Sequence, residues 1–339
     1  MHTRLLLSAG TRARRALTGL VLVAWFPLVL SACGGSGAAE GRWSGPTTVD
    51  GGAALVDVSC PTPSSCVVVD GRDSSIRSTQ GRWSPPVPIT GAGPSGNAGV
   101  SVSCGAADSC AAALSGGALP IFDGAAWSGS GVVDGDGTPT SLSCPTSRFC
   151  VAVDNAGEVL TYDGSWSAPR TVDSGGDLAS VSCTSPSFCL AVSADTPGTA
   201  YRFDGQRWST VPAPNPSTPH GGSEPDVLSW ISCATPTYCA ALDDFGEVFI
   251  WSGHGWSSAI TFDDLRDGSD GISCPVRNFC MIVDGNGVAV GLTNGSVGPR
   301  RQLDSGAVGL SSVSCVTAER CMAVGGQGRV YTFSSGPMT

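Results

Sequence analysis

The chain contains no lysine: its 18 cationic side chains are all arginine, and 28 acidic residues bring the net charge to −10. So little positive charge argues against a nucleic-acid binder, which must neutralise phosphates. Histidine is almost as scarce. Beyond residue 32 only His220 and His254 occur, and neither stands at metal-ligand spacing to a cysteine, which argues against a thiolate metal site. The four tyrosines leave little for a glycosidase with a tyrosine nucleophile, since Tyr162, Tyr201 and Tyr331 lie in strand-like apolar runs and Tyr238 abuts Cys239. A long hydrophobic run is missing too: the stretch from Ala16 to Leu30 is too short to read comfortably as a membrane-spanning helix.

That stretch fits an export signal instead. Arg4, Arg12, Arg14 and Arg15 precede it and the small residues Ser31 and Ala32 follow it, so residues 1–32 have signal-peptide anatomy. Leu30-Ser31-Ala32-Cys33 resembles the lipobox of bacterial lipoproteins. The resemblance implies cleavage before Cys33, acylation of its thiol and a lipid anchor on the outer face of the cytoplasmic membrane, in the cell envelope. Plain cleavage at the same place would leave an unpaired thiol in an oxidising space. Residues 33–41 read as a short flexible tether. Removing the signal removes four Arg and no acid, leaving 14 cations against 28 acids and a charge of −14.

What the chain does have is cysteine, in pairs six positions apart: Cys60/Cys66, Cys104/Cys110, Cys144/Cys150, Cys183/Cys189, Cys233/Cys239, Cys274/Cys280 and Cys315/Cys321. The first cysteines of successive pairs are 44, 40, 39, 50, 41 and 41 residues apart, the period of a repeat built from one small antiparallel sheet. Aligned on the cysteines, each unit has an apolar residue, then Ser, then Cys (strand A), a five-residue turn, and the second Cys with a small apolar run (strand B). An apolar or alternating strand C and a Gly-to-Trp strand D follow. Trp83, Trp127, Trp166, Trp208 and Trp256 open strand D, and the sixth unit has Val297 there. Two cysteines flanking such a hairpin face each other within disulfide range, and the exported compartment favours the bond.

The seventh unit runs out of chain after strand C, at Val330 to Phe333, while an orphan strand D with Trp43 precedes the first cysteine pair. A circular seven-bladed β-propeller over residues 42–339, four antiparallel strands per blade, closes its ring in this way and leaves no sheet edge open. An open solenoid would not need the orphan strand. The Ser before each first cysteine (Ser59, Ser103, Ser143, Ser182, Ser232, Ser273 and Ser314) is repeated in every blade, which points to hydrogen bonds between blades and not to catalysis.

The pattern apolar-Ser-Cys, five residues, Cys-small-apolar, then Gly-x-Trp-Ser resembles repeats in secreted and lipid-anchored proteins of high-GC actinobacteria, over residues 41–339. The Gly-to-Trp segment is weakly similar to the Asp box of sialidase-type propellers, although the Ser-x-Asp-x-Gly-x-Thr-Trp order is not kept. Neither resemblance carries a chemistry to transfer.

Alternating strand directions put the D-to-A and B-to-C loops on one side, and these hold eighteen of the twenty-three Asp. The side with the A-to-B and C-to-D loops is nearly neutral. Turn chemistry explains any single Asp, but the sorting suggests an acidic face that attracts cations or basic partners. The tether from Cys33 joins the other side, with a reach of at most roughly 30 Å, so the acidic face would point away from the membrane. On that face the long spacing between units four and five carries His220, Glu224 and Asp226, and Trp230 follows where other blades have Asp57, Ser101, Ser141, Ser180, Gly271 or Ser312. Trp230 at the channel mouth can stack on a sugar or plug the hole, and with Asp243 these residues form the candidate ligand site. Asp263, Asp264, Asp267 and Asp270 can chelate Ca²⁺ but match no standard calcium loop. No other cofactor is implied.

The expectation is an envelope lipoprotein, monomeric, serving as a binding or scaffold module for an unknown protein or glycan. The alternative is a propeller-type glycoside hydrolase using Glu224 with Asp226 or Asp243.

Overall fold

The computed structural model describes residues 41–89, 99–129, 137–194, 199–212, 214, 227–243, 246–261, 269–304 and 308–336, with backbone alone at 99, 100 and 269. They form seven antiparallel sheets, each ordered A-B-C-D. Strand A is eight residues long in every blade: Leu55–Thr62, Gly99–Ala106, Pro139–Thr146, Leu178–Ser185, Leu228–Thr235, Ser269–Val276 and Leu310–Thr317. Strand B has six: Ser65–Asp70, Ser109–Leu114, Phe149–Asp154, Phe188–Ser193, Tyr238–Asp243, Phe279–Asp284 and Arg320–Gly325. In blades 1 and 6 strand D is split into two short pieces that both pair with strand C.

The core lies between blades. Leu190 and Val192 of blade 4 pack with Ala241 and Phe249 of blade 5, while Cys189 and Ala191 on the opposite side of the same strand pack with Val151 and Val153 of blade 3. Covered on both faces, strand B reads as a continuous run of small apolar residues. Seven such clusters serve seven seams, the last joining Val324 and Val330 of blade 7 to Leu55 and Val68 of blade 1.

The ring closes as the orphan strand implied. Arg42–Thr48 pairs with Arg329–Ser334, putting Trp43 opposite Phe333 with ring centroids 5.3 Å apart. All seven cysteine pairs are disulfide-bonded across strands A and B: Cys60–Cys66, Cys104–Cys110, Cys144–Cys150, Cys183–Cys189, Cys233–Cys239, Cys274–Cys280 and Cys315–Cys321, with Cα atoms 3.9–4.1 Å apart. The expected face-to-face arrangement holds in every blade: in blades 2, 4, 5 and 7 the two cysteines are direct ladder partners, and in blades 1, 3 and 6 they continue the register of Ser59–Val67, Ser143–Val151 and Ser273–Met281 with Cα atoms 4.1 Å apart.

The sulfurs also belong to the core. Cys110, Cys150 and Cys280 on strand B are buried in the seams, packed with Ala112, Ala152 and Ile282 of their own strands. Each disulfide closes a short loop and contributes roughly 2 to 2.5 kcal/mol on the chain-entropy model. Seven of them fit an oxidising compartment outside the cytosol. No helix among the described residues is long and apolar enough to cross a membrane.

The repeated Ser also does what its uniformity suggested. Its hydroxyl accepts the backbone N–H of the first Cys of the next blade, at 2.9 or 3.0 Å in all seven cases, ending with Ser314 and Cys60 across the closure.

Charge requires a further correction. Ten of the eighteen Asp assigned to the supposed acidic face are described, and none is exposed: Asp50, Asp70, Asp73, Asp154, Asp173, Asp243, Asp284 and Asp304 are buried, Asp177 and Asp270 half-buried. Turn and seam chemistry is the reason. Asp70, Asp154, Asp243 and Asp284 end strand B and turn one carboxylate oxygen inward onto backbone N–H groups of the B-to-C turn, as Asp154 does for Ala156 and Glu158. Asp304 accepts the O–H of Tyr331 in the next blade, and Asp173 lies close to Tyr201 of its next blade; burial first, and then these carboxylates, push both phenols up to about 12. On the other side Asp108, Asp123, Asp163 and Asp204 are all exposed. Among the described residues, then, the solvent-facing aspartates sit on the A-to-B hairpin side. Asp134, Asp136, Asp195, Asp226, Asp244, Asp263, Asp264 and Asp267 lie outside the described residues.

Candidate functional site at the axial mouth

Two residues before the uniform Ser, strand A carries Asp57, Ser101, Ser141, Ser180, Trp230, Gly271 and Ser312 in the seven blades. Because side chains alternate along a strand, this position and the Ser share a side. The inner strands run side by side around the axis, so the earlier position rings the mouth on the D-to-A side. A cavity of 350 Å³ opens there, lined by Asp57, Ser101, Thr140, Ser141, Trp230, Asp270 and the start of blade 7's strand A at Gly309, Leu310 and Ser311.

Asp57 ties three blades together. One carboxylate oxygen accepts the Ser312 hydroxyl of blade 7 at 2.6 Å and its neighbour's Val58 N–H at 2.8 Å; the other accepts the Ser101 hydroxyl at 3.1 Å and the Val102 N–H of blade 2 at 2.8 Å. Burial pushes the Asp57 carboxyl above its ordinary range, and these four donors offset only part of that. Around the ring the smaller Ser141 and Ser180 do a lesser version of the same work, accepting the N–H of Val181 and of Ile231 at 3.3 Å. Trp230 stands opposite Leu242 of strand B and packs against the seam between blades 5 and 6, half-buried, with part of the indole left at the cavity.

Of the residues singled out by sequence, Trp230 reaches this cavity, and Asp270, named as a calcium candidate, does also. Asp243 does not: it is fully buried at the end of strand B, where its carboxylate accepts the Glu247 N–H at 2.7 Å. The disulfide cysteines take no part in the cavity wall either, and Cys110, Cys150 and Cys280 are structural residues of the blade seams. His220, Glu224 and Asp226, with the calcium candidates Asp263, Asp264 and Asp267, lie outside the described residues, as does the lipidation candidate Cys33. Sequence reasoning missed Asp57 as a site residue, although its substitution for the Ser used by four other blades was the signal. The described lining has an aromatic face, two carboxyl groups and several hydroxyls, without a cation, histidine or cysteine. It suits recognition of a cationic or hydroxyl-bearing group and offers no nucleophile-base pair.

No protein-family model matches the chain, and no curated protein matches it. Solved structures do. YCF48 bound to D1 peptide superposes with a TM-score of 0.64 at 13% identity, covering 87% of this chain and 97% of that one. YCF48 from Cyanidioschyzon merolae gives 0.64 at 14%, covering 87% and 98%. The WD40 repeats of RRP9 give 0.69 at 10%, covering 87% and 100%. At such identities the likeness is one of fold: the chain is a β-propeller whose nearly whole length superposes on proteins of unrelated sequence.

Proposed function

We propose that this protein is an exported, lipid-anchored binding module that receives a cationic group of a partner at its axial mouth, between Trp230 and Asp57. The observation that carries the reading is the break in sevenfold repetition: at a strand-A position that helps to line the axial cavity, one blade presents a large aromatic ring and another a carboxylate. An ammonium or guanidinium group over an indole face, beside carboxylates, gains cation–π and Coulomb attraction that strengthen as water leaves the site. A basic peptide segment or an amino sugar supplies such a group. Support for a peptide comes from the YCF48 structure, a protein of this fold bound to a peptide. The lipid anchor rests on the Leu30-Ser31-Ala32-Cys33 motif and on the disulfides, which fit the exported compartment.

Two experiments test this. The purified protein, titrated with arginine- and lysine-rich peptides and with chitosan oligomers, should bind at least one of them, and Trp230→Ser should abolish the signal while the melting temperature stays within a few degrees. Unchanged binding in that variant would remove the site. Separately, Cys33→Ala should shift the protein from the membrane fraction to the soluble fraction, and continued membrane retention would refute the anchor.

A further inference from the structure

Opposite the second cysteine of each blade, strand C places one residue. In blades 2 to 7 it is Phe122, Tyr162, Phe203, Trp251, Leu292 and Phe333, and each packs into the seam with the preceding blade. In blade 1 the residue opposite Cys66 is Ser78. Four of these seams hold a second ring, from the start of the preceding blade's strand B: Phe149, Phe188, Tyr238 and Phe279. Phe149 and Phe203 meet in this way, with centroids 6.4 Å apart. At that position blade 7 has Arg320, which is exposed. The seam between blades 7 and 1, the one that closes the circle, therefore lacks both rings.

A cavity of 350 Å³ opens in this seam, on the side of the A-to-B hairpins. One wall is the buried Cys60–Cys66 disulfide of blade 1; facing it are Val316, Met322 and Thr332 of blade 7. Trp83, opposite Ser78, packs against the seam from strand D and is not among the described lining residues. Val316 and Met322 are only half-buried, so apolar surface stays open to the cavity. Glu319 and Arg320 also line it, adjacent and exposed. Their opposite charges leave the site without a preference for a charged ligand.

We propose that this cavity receives the aromatic side chain of a partner polypeptide, at the level where five of the other six seams hold an aromatic ring of the chain itself. The Met322 thioether favours a ring over an aliphatic group, because sulfur is polarisable and packs well against aromatic edges. Burying one ring does not repay the freedom lost on association, so a free aromatic molecule is held weakly. A ring carried on a chain gains further bonds from the exposed Glu319, Arg320 and Thr332 at the edge of the cavity. The site lies on the opposite side of the propeller from the axial mouth and does not depend on it.

The test titrates the full-length protein with blocked pentapeptides that carry Trp, Phe, Leu or Ala between glycine pairs, followed by ligand-observed NMR, with free indole as a fifth probe. The Trp and Phe peptides should bind about tenfold more tightly than the Leu and Ala peptides, and indole should compete with them while binding more weakly than the Trp peptide. Ser78→Phe supplies the ring that blades 2, 4 and 7 use, and Thr332→Trp places one on the facing wall. Each should abolish binding without lowering the melting temperature, and Trp230→Ser should leave binding unchanged. If Ser78→Phe fails to fold, Thr332→Trp carries the test. Failure of both aromatic peptides to bind, equal binding of the Leu peptide, or binding that survives in Thr332→Trp would each overturn the proposal. Indole binding as tightly as the Trp peptide would overturn the polypeptide as its occupant.

Discussion

Two rings of residues, set two positions apart on the same seven inner strands, have opposite characters. One ring is Ser in every blade and makes the same bond to the next blade seven times. The other is Ser in four blades, Asp in one, Trp in one and Gly in one, and four of its members, Asp57, Ser101, Ser141 and Trp230, line the axial cavity. Uniformity around a ring reflects a demand that each blade makes of its neighbour, and so belongs to architecture. In the other ring Asp57, Ser141 and Ser180 also bond the neighbouring blade, but with different groups from blade to blade, and at Trp230 the repeat gives way to an aromatic ring, so it is here that asymmetry enters a symmetric scaffold.

The largest expected effect comes from the uniform elements. Reducing all seven disulfides removes roughly 16 kcal/mol on the chain-entropy model, as much as the whole stability of a typical domain. The reduced protein should therefore unfold at room temperature, as read by far-ultraviolet circular dichroism, and a folded reduced protein would show that the interblade cores suffice alone. Next is the Ser ring. Ser232→Ala leaves the buried Cys274 N–H without its acceptor, at a cost of about 1–3 kcal/mol, and the denaturant midpoint should fall accordingly; no change would put the ring's value in the backbone alone.

A smaller effect is pH-dependent. Burial holds the carboxyls of Asp57, Asp70 and Asp73 above their ordinary value of 3.8, and the adjacent Asp50 raises Asp70 further. The folded state therefore keeps protons that the unfolded chain releases. The stability they contribute is complete below about pH 3.8 and is lost as pH climbs through the raised values. Melting temperature should rise as pH falls from 7 toward 4, and Asp57→Ser, which installs the residue four other blades use, should flatten part of that rise. Equal slopes in the two proteins would mean that Asp57 titrates normally. Smallest in stability is Trp230→Ser, expected to stay within about 1 kcal/mol because the ring is half-buried and four blades already use Ser there.

Most of the architecture was legible in the chain because each blade repeats its own evidence: seven Ser-Cys pairs, seven apolar B strands, and a strand with Trp43 at one end to complete the sheet at the other. Spacing alone foretold the disulfides, since two cysteines six positions apart across this hairpin stand opposite each other, at Cys144–Cys150 as at Cys104–Cys110. Trp230 was legible for the complementary reason, as the departure from a repeat. The aspartates misled because position in a loop says which side a residue lies on but not which way its side chain turns. Asp154 and Asp243 face inward onto turn N–H groups, while Asp123 and Asp204, capping C-to-D turns through the same chemistry, remain in solvent.

The measurement closest to the centre compares two variants of one strand, Trp230→Ser and Ser232→Ala, in the same titration with arginine-rich peptide and the same thermal melt. Trp230→Ser should lose binding and keep its melting temperature, and Ser232→Ala should keep binding and melt lower. The opposite pattern, with Trp230 needed for folding and dispensable for binding, would mean that the aromatic ring is a plug and that the mouth recognises nothing.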